Sequence, residues 1–191
     1  MSVTQRSTDV RPPAVALVRW APTFAAFPVG GLAAHLIVGP VDTVGAAAVG
    51  GLVTGAAVGL AQWWALRPTG PTAGRWVFAS ALGLAAALVL VTAVAGPPGT
   101  VGAVVVQGAV CGFGLGVAQA AALYRRLGAR AVVWPLLLAG AWSLGWCVTA
   151  AVGVRLEDGW TVFGSTGALA VTVLTAVLPL ALRRTTDGAR S

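Results

Sequence analysis

Few side chains in this sequence are equipped for chemistry. It holds one histidine, five acidic residues, two cysteines and no lysine. His35, Asp42, Glu157 and Asp158 could converge if the segments that carry them meet. An imidazole beside carboxylates suits cation binding or general acid–base work. Gln62 and Gln119 are amides within long apolar runs, able to bond each other or to line a polar path. Trp142 and Trp146 stand four apart, hence on one helix face. With Phe113 and Tyr124 they could enclose an isoprenoid, a quinone or another lipid; filling space beside glycine-rich helices is the reading taken. Cys111 and Cys147 have neither CxxC spacing nor metal-ligand neighbours, and read as small packing residues.

The familiar catalytic signatures are missing. The sequence contains no HExxH, GxSxG, P-loop or dinucleotide fingerprint. It has no Asp-rich motif for a diphosphate–magnesium site and no relay of carboxylates within the apolar runs. The inventory points away from an enzyme, and no cofactor or metal is expected.

The elements that must position these residues follow from composition. Of 191 residues, 58% are hydrophobic and 9% charged, with a mean hydropathy of +0.88. Soluble domains carry roughly a quarter charged residues, so so few cannot cover a water-facing surface. The solvent for most of the chain is lipid. A net charge of +7 comes entirely from arginines scattered singly or in pairs. That is not the clustered basic face that phosphate backbones need, and nucleic acid is not an expected partner.

Six apolar stretches can be read, near Val15–Val38, Thr43–Leu66, Trp76–Ala95, Val101–Tyr124, Ala131–Val154 and Trp160–Leu182. Each reaches the roughly 20 residues that span a bilayer. Gly39-Pro40-Val41-Asp42 and Gly96-Pro97-Pro98-Gly99 break the runs as turns. The expected fold is an all-α polytopic membrane bundle, residues 15–182, between tails at 1–14 and 183–191. The first stretch exceeds a typical signal-peptide apolar region and is expected to be retained.

Orientation follows from the arginines. Arg6, Arg11 and Arg19 precede or open the first stretch. Arg67 and Arg75 lie in the second-to-third link, Arg125, Arg126 and Arg130 in the fourth-to-fifth, and Arg183, Arg184 and Arg190 after the sixth. The remaining links hold only Arg155, with Asp42, Glu157 and Asp158. Positive-inside bias then places both ends in the cytoplasm of a bacterial inner membrane. Trp20, Trp63, Trp64, Trp76 and Trp134 beside these arginines, and Trp160 by the opposite link, read as interfacial belts.

One element is repeated. Gly51, Gly55, Gly59 and Gln62 recur without gaps as Gly108, Gly112, Gly116 and Gln119. The sixth stretch keeps Gly167 and an Ala181-Leu182-Arg183 ending, with Leu178 in place of the glutamine. Arg19-Trp20, Arg75-Trp76 and Arg130 with Trp134 echo one another at the starts of the odd stretches. The pattern suggests three parallel helical hairpins. Spacings of four, four and three put the glycines and the amide on one stripe, and small residues let helix backbones approach in lipid. Packing is the reading taken for this stripe; a pore or site lined by the two glutamines is the alternative.

The run from Gly55 through Gln62-Trp63 to Leu66-Arg67 and Trp76 fits GxxxGxxQWxxLR before a Trp-led stretch. It resembles functionally uncharacterised small multi-pass bacterial membrane proteins carrying this repeat, over roughly residues 45–150. The second copy departs from it, with Ala120 where Trp63 stands. The resemblance implies a membrane location and brings no catalytic residues.

Three functions remain open. The first is a non-catalytic scaffold or accessory bundle packed through glycine faces, with lipid, further copies of itself or another membrane protein as partner. The second is a small transporter or channel with a polar path at Gln62 and Gln119. The third is a membrane enzyme or isoprenoid-binding protein using His35, Asp42, Glu157 and Asp158, or Trp142 and Trp146.

Overall fold

The computed structural model describes residues 13–67, 69–153 and 162–188. Among them the chain is helical, without strands. The elements are α1 (Pro13–Trp20), a 3-10 turn (Ala21–Ala25), α2 (Ala26–Val38), α3 (Val44–Leu66), α4 (Ala73–Ala95) and α5 (Val101–Leu127). A second 3-10 turn (Gly128–Val133) leads into α6 (Trp134–Ala151), followed by α7 (Ser165–Thr175) and α8 (Val177–Gly188). The third helix starts three residues before the expected Trp76, and the fourth runs three beyond Tyr124.

Among the described residues, five helical stretches are long and apolar enough to cross a membrane: Pro13–Val38, Val44–Leu66, Ala73–Ala95, Val101–Ala151 and Ser165–Thr185. The fourth has 51 residues, and would be about 76 Å long if straight. It is not straight. Gly128 takes φ +56°, accessible to glycine without strain, and the chain folds back so that α6 packs antiparallel against α5.

Other breaks have local causes. Pro22 lacks the N–H that α-helical continuation requires; the chain tightens to 3-10 there, and the Thr23 hydroxyl donates to Trp20 O at 2.7 Å. Pro179 likewise leaves a carbonyl unmatched near Ala176, where α7 gives way to α8, and Thr175 Oγ1 bonds back to Val171 O. Thr43 and Thr100 cap α3 and α5, each accepting a 3.2 Å bond from the backbone N–H three residues on.

The helices pack mostly in chain order, and the ring closes where α1, α2 and the first 3-10 turn meet α7 and α8. Trp20 Nε1 ties that seam by donating to Thr172 O at 3.0 Å. The surface is apolar: Leu36, Val94, Val173, Phe78 and Leu136 are each at least two-thirds exposed. Buried polar side chains, Thr54, Gln62, Ser80, Gln119 and Thr149 among them, sit within. A continuous apolar exterior around a partly polar interior is an arrangement for lipid rather than water.

The glycine stripes set the helix spacing. A β-carbon on Gly51 would lie 2.5 Å from Ala85 Cα, and one on Gly55 2.5 Å from Ser80 O. On α5, a β-carbon at Gly108 would lie 2.5 Å from Trp146 Cδ1, at Gly116 2.5 Å from Pro135 Cα, and at Gly112 would overlap Leu138 O. Backbone therefore touches backbone along α3–α4 and α5–α6. Each stripe faces the helix that follows it, across the arginine-bearing link, rather than the helix before it.

This predicts a sharp contrast between glycines. Gly51→Val should cost about 1–3 kcal/mol by overpacking, read as a lower unfolding midpoint in detergent. Gly140→Ala, at an exposed site with nothing within 4 Å of the new carbon, should match or exceed the parent protein. Equal stability of Gly51→Val and parent would refute the close α3–α4 contact.

Candidate functional site

Two of the buried polar side chains, Gln62 and Ser80, meet at a third, Gln119. Gln119, wholly buried on α5, donates from Nε2 to Gln62 Oε1 of α3 at 3.1 Å and to Ser80 Oγ of α4 at 2.9 Å. Its Oε1 accepts from Trp134 Nε1, at the start of α6, at 2.9 Å. Four helices are thereby joined through one side chain. Gln62, Ser80 and Trp134 are each at most 5% exposed, so the bonds lie away from the surface.

The glycines make this possible. Gly59 lets Ser80 approach α3, and Gly116 lets the α6 backbone at Pro135 close on α5, which brings the adjacent Trp134 within reach of Gln119. The repeat is not symmetric here. Trp76 occupies the position corresponding to Trp134, yet its indole N–H has no hydrogen-bond partner, while Gln62 Oε1 accepts from Gln119. Sequence reasoning found the two amides but not Ser80 or Trp134. A lone serine 57 positions before Leu137 in the repeat register, inside an otherwise apolar helix, was the available signal.

The aromatic residues form a second interior cluster. Trp142 and Trp146 are buried, but Phe27 of α2 and Phe163 before α7 occupy the space beside them. Phe163 lies 5.1 Å from Trp142 edge-on and 5.3 Å from Phe27 in a stack. Trp146 meets Phe163 at 6.1 Å and Phe27 meets Trp142 at 6.0 Å. These are ordinary ring-packing geometries, and they fill the place that a bound apolar ligand would need. Phe113 and Tyr124 are exposed elsewhere. Of the expected arginine-side tryptophan belt, Trp20, Trp76 and Trp134 are buried between helices instead. Trp64 is exposed and flanked by Arg19 and Arg67 at 5.2 and 5.7 Å from its ring centre.

At the opposite end, His35 is half-buried in the last turn of α2 and Asp42 is exposed in the following link. Glu157, Asp158 and Trp160 lie outside the described residues, and the described residues hold no group of three potential metal ligands. Cys111 is buried and Cys147 exposed, both free thiols.

Among the described residues, Arg19, Arg75 and Arg126 share one end. Arg19 donates to Trp64 O at 2.8 Å, Arg75 to Ala121 O at 2.6 Å and Arg126 to Thr69 O at 3.3 Å. Trp64 lies in the last turn of α3 and Thr69 just beyond it, where helical partners run out and a cation is favoured; Ala121 lies nearly two turns before the end of α5. Trp64 and Ala121 are equivalent positions of the repeat, as are Arg19 and Arg75.

No protein-family model, curated protein or solved structure matches the chain.

The amide node predicts a measurable coupling. In a double-mutant cycle on Gln62→Leu and Gln119→Leu, unfolding in detergent should give an interaction energy of about 0.6–1.7 kcal/mol. Gln119→Leu should be the more damaging single change, since it strands Ser80 and Trp134 as well. Strict additivity would show that the 3.1 Å bond contributes nothing.

Proposed function

We propose that the chain is a six-crossing protein of the bacterial cytoplasmic membrane, both ends inside, acting as a non-catalytic scaffold or accessory bundle. The observation that carries this reading is the closed amide node. Gln62, Ser80, Gln119 and Trp134 bond one another in buried helix contacts, which favours a structural role over a solute path. The aromatic cluster packed by Phe27 and Phe163 likewise favours space-filling over ligand binding.

The sixth crossing is inferred from Gly128. The antiparallel fold-back of α6 on α5 supports two crossings within Val101–Ala151, and the common arginine end supports the alternation that positive-inside bias demands. The glycine faces are occupied by neighbouring helices of the same chain. Partners would therefore meet the bundle through its apolar outer surface or its arginine end, not through the stripes.

Two experiments test this. Cysteine labelling in a background free of Cys111 and Cys147 should reach Thr69→Cys only from the cytoplasm and Gly99→Cys only from outside; the reverse pattern would overturn the topology. Reconstituted in liposomes, the protein should pass ions no faster than empty vesicles do. A flux abolished by Gln62→Leu with Gln119→Leu would establish the transport reading instead.

A further inference from the structure

At the arginine end, α8 and the turn leading into α6 leave a cleft of about 240 Å³, open on one side. Buried Trp134 and Leu178 line it together with Leu137 and Val177. Arg130 and Arg184 also line it. Both are exposed, and neither guanidinium has a hydrogen bond or ion pair among the described residues.

The repeat shows what is unusual about this place. In the first two helix pairs the entering arginine, Arg19 or Arg75, is spent on a carbonyl of the partner helix. Arg130 holds the corresponding position in the third pair and makes no such bond. Leu178 stands where Gln62 and Gln119 stand in the other copies. The third pair has thus lost both polar ties. What remains is an apolar slot beside two uncommitted cations, on the side where the other arginines gather.

We propose that this cleft seats an anionic glycerophospholipid, its phosphate held by Arg130 and Arg184 and the upper part of one acyl chain against Leu137, Val177 and Leu178. Guanidinium groups pair with phosphate oxygens through charge-assisted, often bidentate bonds. Basic pockets between membrane helices on the cytoplasmic side are suited to anionic head groups. The apolar lining selects a lipid over a free anion, and a volume below the roughly 300–1,000 Å³ of sites for drug-sized ligands suits one chain segment. The assignment rests on the membrane reading above.

The test titrates purified full-length protein in a neutral detergent with phosphatidylglycerol, phosphatidylcholine or inorganic phosphate, read by native mass spectrometry and thermal unfolding. Phosphatidylglycerol should form a one-to-one adduct and raise the unfolding temperature, at an affinity about tenfold or more above phosphatidylcholine. Arg130→Gln with Arg184→Gln should abolish that preference, and Arg125→Gln, a nearby exposed arginine, should preserve it. Ala181→Phe, which narrows the cleft and leaves both cations, should weaken phosphatidylglycerol binding too.

Equal binding of both lipids, a silent arginine pair, or a silent Ala181→Phe would each overturn the proposal. So would equal stabilisation by inorganic phosphate. Failure of the membrane reading looks different: the protein would then be monodisperse without any detergent.

Discussion

A primary amide carried into the middle of a helix bundle must find a donor and an acceptor there or cost about 1–3 kcal/mol. Gln119 finds both, in Gln62, Ser80 and Trp134, and the surrounding architecture follows from meeting that need. Three helices must come close enough to α5 for side chains as short as serine to reach the amide. Glycines permit this: Gly116 admits Pro135 of α6 against α5, Gly83 and Gly114 bring α4 onto α5, and Gly59 seats Ser80 against α3. The amide and the stripe are parts of one device: the stripe sets the distance, and the amide makes the distance specific.

The same device explains why the bundle needs so little else. In lipid, apolar side chains gain nothing by leaving their surroundings for a neighbouring helix. Close backbone contact and interhelical hydrogen bonds are what remain, and the chain places both in the two copies of its repeat. Arginines contribute at one end by satisfying the carbonyls of Trp64, Thr69 and Ala121. Among the described residues, His35, Asp42 and the arginines lie near the helix ends, and the large aromatics fill the gap between α2, α6 and the start of α7.

Much of this was legible in the residues. The turns at Gly39 and Gly96 are where proline and positive φ put them, and Gly153 continues the series at the same spacing with φ +77°, a third-copy signal that went unread. The stripes were visible as stripes. Their partners were not, because a row of small residues defines a contact face without naming the helix opposite. Trp20, Trp76 and Trp134 misled for a related reason: indoles beside arginines look interfacial, while their burial depends on which helices close over them. The filling of the Trp142 and Trp146 face by Phe27 and Phe163 is a contact between distant segments, which no local spacing encodes.

The central claim is that the interior amides are bonded to one another and shielded from water. Magnetic-resonance spectra of the Gln119 side-chain amide in lipid nanodiscs test it directly. The account predicts a through-space contact with the Trp134 indole proton and slow exchange of the amide protons with solvent. Rapid exchange, or strong transfer from water with no indole contact, would contradict it.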